Sequence, residues 1–249
     1  MPDVAGSSPP LLGPPNNALL RSLAENDWNL LKPHLEPFDL ATGQVLYEMG
    51  DPMEWVYLPE IGLLSVVSIM VSGAAIETSI VGREGGIGFV EALGNQKSFS
   101  RVLVQVPGRA FRVTTRYYCD AFDRSAAMRK AVHRQVELLL AEARQAIACH
   151  SLHQVENRFS RWLLECQDLA GGMSTLPLRQ EFLAMMLGVQ RTTITLIAQD
   201  AAKRGAIRYS RGQIEILDRD GLERAACECR VTLQALRNEL QPDSVLAKA

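Results

Sequence analysis

The chain has 249 residues, with 26 basic and 28 acidic side chains and a formal net charge of −2. Hydrophobic residues make up 47% and charged residues 22%, which excludes a disordered, collagen-like or strongly basic protein. The near-neutral sum also argues against a nucleic-acid-binding protein, because such proteins usually carry a basic excess. The charge is not evenly spread along the chain, however, and part of the C-terminal half has a basic excess.

The sequence indicates a protein of the reducing cytoplasm. No stretch reaches the roughly 18 apolar residues of a membrane-spanning helix, and residues 1–17 have no signal-peptide pattern and are predicted to form a disordered arm. Five scattered cysteines favour free thiols. Cys227 and Cys229, in a helix predicted over 218–240, are expected to point in different directions. No zinc spacing is present, so no metal site is predicted.

Residues 18–124 are predicted to form short helices followed by an antiparallel barrel. Leu and Trp recur at helical spacing up to Pro37, which is expected to end the helical segment. Short runs rich in Val, Ile and aromatic residues then alternate with Gly and Pro. Such regular turn signals are typical of a β-sandwich or jelly-roll barrel, with turns expected at 59–62 and 107–108, among others. The candidate strands are 44–47, 55–58, 63–70, 75–81, 102–106 and 110–113.

Residues 125–153 are predicted to form one long helix that mediates dimerisation. Apolar and small residues repeat at spacings of three and four, as in a coiled-coil seam. Leu140 and Ile147 lie off this seam and are expected to pack the helix against its own barrel. The alternative is a helix buried within one domain. His150 and His153 are interpreted as polar interface residues rather than as a metal-binding pair. The residues assigned to the dimer interface are Val132, Val136, Leu139, Ala143, Ala146 and His150.

Residues 180–199 carry the pattern of a helix-turn-helix. A small residue, Ala184, stands where two helices would cross, and Gly188 follows at the turn, where a positive φ is needed. The outward face of the second helix carries short or forked polar groups suited to base edges in a major groove. Of these, Arg191 is suited to a bidentate contact with guanine. The inward positions are all apolar: Leu183, Leu187, Val189, Ile194 and Ile197.

A basic hairpin over residues 207–216 follows the helix-turn-helix and is interpreted as a wing beside the phosphates. Between Arg179 and Arg211 the chain has six basic and two acidic residues, a local charge of +4, whereas residues 1–150 have 13 basic and 16 acidic ones. Phosphate attraction depends on the local number of cationic contacts, so this distribution favours DNA. The residues predicted to contact DNA are Gln180, Gln190, Arg191, Thr192, Thr195, Gln199, Lys203, Arg208, Tyr209 and Arg211.

The order of barrel, long helix and winged helix-turn-helix resembles the Crp/Fnr family of bacterial transcription regulators. The resemblance covers about residues 18–217 and is most specific in Gly188-Val189-Gln190-Arg191-Thr192-Thr193-Ile194, which looks like the family's turn and recognition helix. Arg191 falls at the family's base-reading arginine. Thr192 and Leu196 stand where the family usually has a glutamate and a second arginine, so an operator other than the family's familiar one is expected.

The resemblance implies an α+β protein in four parts. These are an arm (1–17), a sensory domain similar to a cyclic-nucleotide-binding jelly roll (18–124), a dimerisation helix (125–153) and a winged helix-turn-helix domain (154–249). It further implies a homodimer that binds double-stranded DNA, works with RNA polymerase and senses a small-molecule effector.

The family's phosphate-binding cassette is broken in this chain. Relatives that bind cyclic AMP have a Gly-Glu pair followed by Arg-Ser-Ala, whereas here Phe89 follows Gly88, Glu91 is displaced and Arg101 is flanked by Ser100 and Val102. Cyclic AMP is therefore not the expected ligand, and the effector stays unidentified. A cyclic nucleotide and a barrel that has lost ligand sensing are the alternatives left open, whereas no iron–sulfur cluster or haem is expected. The candidate ligand residues are Gly88, Glu91 and Arg101.

Other chemistries find little support in the sequence. An iron–sulfur sensor needs a cysteine cluster near the N-terminus, and the first cysteine is Cys119. A haem sensor needs an axial ligand, and no His lies between residues 47 and 122. Catalytic motifs are missing, so no enzyme is predicted. The prediction is a homodimeric, sequence-specific transcription regulator. The alternative is a small-molecule-sensing module that docks a partner protein.

Overall fold

The computed structural model describes residues 15–241, so most of the predicted N-terminal arm lies outside the described residues. The folded part begins within that arm. Asn17 is fully buried and caps α1 (Ala18–Arg21) by accepting from two backbone amides of the first turn. Its side-chain amide donates to the carbonyl oxygens of Pro59 and Gly85, 3.0 and 2.8 Å away. These bonds fix the start of the domain to the sheet.

The N-terminal domain consists of short helices and a five-stranded antiparallel sheet. The strand order is β1-β5-β3-β4, and β2 pairs with β5. Pro37 lies within β1 instead of ending a helical segment, so that prediction was wrong. The elements after α1 are α2 (Glu25–Leu31), a 3-10 turn (Lys32–His34), β1 (Glu36–Leu40), β2 (Val45–Tyr47), β3 (Trp55–Ile69), β4 (Ala75–Val81), a second 3-10 turn (Glu91–Leu93) and β5 (Arg101–Thr114).

Two long strands, β3 and β5, replace four of the predicted ones. The turns expected at 59–62 and 107–108 are irregularities within these strands, where the register between them shifts near Pro59, Ile61 and Leu63. A Cβ on Gly108 would collide with the Ile61 carbonyl group, so only glycine permits this close approach. Bulges bend a strand and increase its twist. The Gly and Pro residues therefore curve two continuous strands rather than separating four short ones.

The long helix was predicted correctly in extent but not in orientation. α3 (Thr115–Arg124) precedes α4 (Ala126–Leu152), whose cap Ser125 accepts from the Met128 amide at 2.9 Å. Val132 is 1% exposed and lies in the core of the N-terminal domain, and Val136 and Leu139 pack against that core. Leu140 and Ile147, which were expected to face the barrel, are instead 49% and 69% exposed.

The C-terminal domain contains the predicted helix-turn-helix and wing. Its three-stranded sheet has the order β6-β8-β7. The helix predicted over 218–240 is divided in two. None of the helices in the described part of the chain is long and apolar enough to cross a membrane. The elements are α5 (Val155–Leu169), β6 (Thr175–Leu176), α6 (Gln180–Leu187), α7 (Arg191–Lys203), β7 (Ile207–Ser210), β8 (Gln213–Ile216), α8 (Arg219–Ala225) and α9 (Cys229–Leu240).

The two domains share a buried interface. Leu63 of β3 and Val106 of β5 belong to the hydrophobic core of the C-terminal domain, and both are fully buried. α9 packs against α4, and α6 packs against β4. The Gln241 side chain donates to the Glu84 carbonyl oxygen at 2.9 Å. β4 and α4 are therefore in direct contact with the domain that carries the helix-turn-helix, so a shift of either element would act on that domain.

Candidate DNA-binding surface and sensory cavity

The turn between α6 and α7 is built from local constraints. Gly188 ends α6 in the left-handed conformation at φ +64°, which glycine adopts without the cost that a Cβ imposes. The next amide, of Val189, donates to the Ala184 carbonyl oxygen at 3.0 Å. Ile194 and Ile197 of α7 are buried beneath the turn. This packing fixes the orientation of α7 relative to α6.

The outward face of α7 is available to a partner. Gln180 and Thr195 are partly buried, and the Gln180 side-chain oxygen accepts from Arg191 Nε at 3.2 Å and from Thr195 Oγ1 at 3.3 Å. Arg191 also forms an ion pair with Glu181 at 3.2 Å. Both partners of that pair are well exposed, so it contributes little and the guanidinium can exchange it for a base. The predicted residues that are exposed here are Gln190, Arg191, Thr192, Gln199 and Lys203.

Leu196 is a surface feature that the predicted contact set missed. Its side chain is 67% exposed on α7, one residue after Thr195. An apolar side chain on this face could contact the methyl group of thymine, which is an apolar group exposed in the major groove. The signal was present in the sequence, because Leu196 falls between outward-facing Thr195 and Gln199 at helical spacing.

The wing presents two arginines beside α7. Arg208 on β7 and Arg211 at the hairpin tip are exposed, and Arg211 adopts a positive φ of 49°. Arg208 is paired with Glu215 of β8 at 2.6 Å. Tyr209 is half-buried and packs against the domain core. The wing therefore exposes cationic groups of the kind that contact DNA phosphates, while Tyr209 anchors the strand that carries Arg208.

A cavity of about 330 Å³ lies between the sheet, α4, α5 and α9. Gly88 and Glu91 line it, and Gly88 has φ +82° with no room for a Cβ beside Met53. Arg101 does not line it, because its guanidinium pairs with Glu48 at 2.8 Å on the surface. The structure thus brings together two of the three predicted ligand residues and separates the third.

Comparison with known proteins identifies the C-terminal domain. Residues 157–225 match the family model of the Crp-like helix-turn-helix domain. The chain carries a Crp-like DNA-binding domain. No curated protein matches the sequence.

Solved structures, among them Crp/Fnr regulators, share the fold of about four fifths of the chain. FixK2 from Bradyrhizobium japonicum is 13% identical, with a TM-score of 0.67 over 78% of this chain and 98% of its own. A protein assigned to the family from Eubacterium rectale is 18% identical, with a TM-score of 0.66 over 83% and 96%. A Crp/Fnr regulator from Thermus thermophilus is 23% identical, with a TM-score of 0.64 over 77% and 98%. The chain therefore has the Crp/Fnr regulator fold with a helix-turn-helix DNA-binding domain.

The cavity of this Crp/Fnr fold has an excess of carboxylates. Arg237 bonds to Glu142 at 2.7 Å and to Glu165 at 3.3 Å, and Arg161 also pairs with Glu165. Each arginine in the described lining is thus already neutralised, which leaves little attraction for an anion. Burial raises the pKa of four of the lining carboxyl groups, that of Glu77 to about 8. The carboxylates that line the cavity are Glu77, Glu84, Glu91, Glu142 and Glu165.

Two pairs of residues that are distant from each other in sequence meet at the end of α4. Cys149 Sγ lies 3.6 Å from Cys227 Sγ, and Cys229 Sγ lies 3.3 Å from His153 Nδ1. Cys227 and Cys229 therefore face the same cluster, contrary to the expectation that they point apart. Sequence reasoning missed the group because it compared only spacings within short segments. His150, the other residue of the considered histidine pair, contacts Arg158 instead.

Proposed function

We propose that the protein is a homodimeric, sequence-specific DNA-binding transcription regulator with no catalytic activity of its own. The supporting observation is the exposed polar face of α7, flanked by a basic wing, within a Crp-like helix-turn-helix domain. Arg191 would read guanine, Leu196 would contact a thymine methyl group, and Arg208 and Arg211 would contact phosphates. By analogy with the family, RNA polymerase is the expected protein partner.

Dimerisation is proposed to use a stripe of α4 in which the protein's own domains leave the large apolar side chains of Leu140 and Ile147 exposed. Leu140, Ala143 and Ile147 are exposed, and Val136 is partly exposed one turn earlier. Their spacings of four, three and four residues are those of a coiled-coil seam. Val136 and Ala143 belong to the predicted interface, while Val132 is already buried in the protein's own core. A second copy of α4 is the partner that matches this stripe, and it would place two recognition helices on half-sites about 34 Å apart.

The effector is proposed to be a neutral or cationic small molecule rather than a cyclic phosphate. The cavity has five carboxyl groups and two arginines that already pair with carboxylates. A cyclic phosphate needs unpaired donors or a cation, and the only predicted candidate, Arg101, is held by Glu48 outside the cavity. The protein-docking alternative is favoured by no observation on this surface.

The test of DNA reading is a comparison of two duplexes. A preferred site is first selected from a random duplex library, and binding to it and to an unrelated duplex is measured by fluorescence anisotropy. Arg191→Ala should weaken binding to the selected site by about 1–3 kcal/mol and leave binding to the unrelated duplex nearly unchanged. Arg224→Ala, which removes an exposed arginine from α8, is the matched control. Equal losses on both duplexes would contradict base reading by Arg191, and no salt-dependent DNA binding at all would contradict the proposed function.

A further inference from the structure

Cys149, His153, Cys227 and Cys229 form a compact cluster of metal-binding groups. Their ligand atoms all lie within 4.8 Å of one another. Cys149 belongs to the last turn of α4 and His153 follows that helix, while Cys227 and Cys229 flank the start of α9. The three cysteines are between 0% and 6% exposed and form a separate small cluster of the core. Two segments of the chain that are more than 70 residues apart therefore contribute two ligands each.

Two distances within the cluster are close to the edges of a zinc tetrahedron. Zinc–sulfur bonds of about 2.3 Å and zinc–nitrogen bonds of about 2.0–2.1 Å imply sulfur–sulfur edges of about 3.8 Å and sulfur–nitrogen edges of about 3.6 Å. The observed values are 3.6 Å between Cys149 and Cys227, and 3.3 Å between Cys229 and His153. A disulfide would require about 2.05 Å between the sulfur atoms. Cys149 and Cys227, and likewise Cys229 and His153, are therefore spaced as co-ligands of one ion.

The surroundings of the cluster are those of a metal site. His153 directs Nδ1 to the cysteines, and its Nε2 lies 3.6 Å from Glu228 Oε1. A carboxylate on the second ring nitrogen is the usual arrangement that orients a metal-binding histidine. Gln145 Nε2 donates to Cys229 Sγ at 3.0 Å.

We propose that Cys149, His153, Cys227 and Cys229 bind one zinc ion in a tetrahedral Cys₃His site. Four protein ligands leave no open position, so the ion is structural rather than catalytic. It would tie the end of α4 to the segment between α8 and α9, directly beside the junction of α4 and α5. If the proposed function holds, the ion would thereby fix the orientation of the DNA-binding domain relative to the dimer helix.

The first test measures the metal bound by the full chain, purified under reducing conditions after expression with added zinc. Elemental analysis should find about one zinc ion per chain. Replacement by cobalt should give the intense visible bands of tetrahedral Co²⁺ and thiolate-to-cobalt charge transfer in the near ultraviolet. A chain that binds no stoichiometric zinc, or a cobalt form that lacks these bands, would overturn the proposal.

Variants then assign the ligands. Glu228→Gln changes only the partner of His153 and should lower zinc affinity about 10-fold. Cys227→Ser and Cys229→Ser each remove a ligand and should lower it by more. Cys166→Ser is the matched control, since Cys166 is a fully buried cysteine outside the cluster. Circular dichroism checks whether the cysteine variants fold. If they do not, His153→Asn replaces them, because His153 is only partly buried; this variant too should lower zinc affinity.

Three outcomes contradict the assignment. Zinc retained with unchanged affinity by Cys229→Ser or His153→Asn would place the ion elsewhere. Equal losses in Cys166→Ser would indicate a general effect of core damage. A Cys149–Cys227 disulfide in the unreduced chain, with no zinc bound after reduction, would assign the pair to redox chemistry instead. None of these measurements involves DNA, so their failure is distinguishable from failure of the proposed function.

Discussion

Trp162 of α5 donates a hydrogen bond from its indole nitrogen to Glu77 of β4, 2.9 Å away, in the buried interface between the two domains. Ser65 of β3 donates to the same carboxyl group. Burial raises the pKa of Glu77 from 4.5 to about 8, and the nearby charges of Glu165 and Arg161 act in opposite directions. The interface thus holds a titratable group whose neutral form the folded protein prefers.

This preference predicts a stability that falls as the pH rises. A carboxyl group with a raised pKa binds more protons in the folded than in the unfolded protein, so its contribution is complete below about pH 4.5 and is lost as the pH passes about 8. Glu77→Gln keeps the shape and the acceptor for Trp162 but does not titrate. We expect the urea-unfolding free energy of wild type to decline over this window and that of Glu77→Gln to decline less.

The control for this experiment is Glu137→Gln, which removes an exposed carboxylate from α4. It should leave the pH dependence of wild type unchanged. Glu84 and Glu142 also have raised pKa values because of burial, so some decline should persist in Glu77→Gln. An identical pH profile for wild type and Glu77→Gln would show that the pKa of Glu77 is the same in the folded and the unfolded protein, contrary to this prediction.

The second prediction concerns the exposed stripe of α4. Leu140→Asp combined with Ile147→Asp should shift the protein from dimer to monomer, because a charge replaces apolar area that the partner would cover. Each side chain occurs twice in a two-fold interface, and each buried one contributes about 1.5–3 kcal/mol. The dimer dissociation constant, measured by sedimentation equilibrium, should rise at least about 100-fold.

Val231→Asp is the matched control for the dimer experiment, since Val231 is 70% exposed on α9 and outside the stripe. It should leave the dissociation constant unchanged. An unaltered dimer in the α4 double variant would mean that another surface mediates dimerisation.

The helix-turn-helix could be predicted because its constraints are local. Ala184, Gly188 and the apolar positions lie within about twenty residues, and each is required by the contact of two helices across one short turn. The orientation of α4 could not be predicted in this way. A repeat of three and four residues gives several apolar stripes, and the sequence does not state which stripe meets the protein's own domain and which meets a partner.

The cysteine cluster and the long strands show two further limits of sequence reasoning. Cys149 and Cys227 meet only because α9 folds back along α4, which depends on tertiary packing rather than local pattern. Gly108 in β5 gave the signal of a turn, yet it serves a close approach of two strands. Glycine is suited both to a turn and to a close approach of two strands, so residue type alone does not distinguish a turn from a bulge.

The third prediction separates backbone strain from a contact between the domains. Gly188 and Gly205 have φ values of +64° and +75°, so alanine at either position should cost about 1 kcal/mol of stability. A Cβ on Gly188 would also lie 3.0 Å from Cδ1 of Ile76 in β4, whereas one on Gly205 meets no described atom within 4 Å. Urea unfolding should therefore show a larger loss for Gly188→Ala than for Gly205→Ala.

The double variant Gly188→Ala with Ile76→Val identifies the source of that difference. Valine lacks the Cδ1 atom that the new methyl group would meet, so the extra loss in Gly188→Ala should disappear once the effect of Ile76→Val alone is subtracted. A difference that persists in the double variant would mean that the docking of the turn on β4 does not contribute to it.

The last prediction concerns the ion pair on the wing. Arg208 lies 2.6 Å from Glu215, and their side chains are 65% and 37% exposed. An exposed pair of this kind contributes little to stability, yet Glu215 competes with a phosphate for the arginine. Glu215→Gln should therefore strengthen binding to selected and unrelated duplexes alike. Arg208→Ala should weaken both and reduce the slope of log affinity against log salt by about 1.

The control for the wing is Glu239→Gln, which removes an exposed carboxylate from α9 and the same unit of net charge. If Glu215→Gln acts by releasing Arg208, it should strengthen DNA binding more than Glu239→Gln, and the gain should vanish in the background of Arg208→Ala. If Glu215→Gln still strengthens DNA binding in the background of Arg208→Ala, the effect does not require the ion pair. It would then reflect the removal of general repulsion between the Glu215 carboxylate and the DNA backbone.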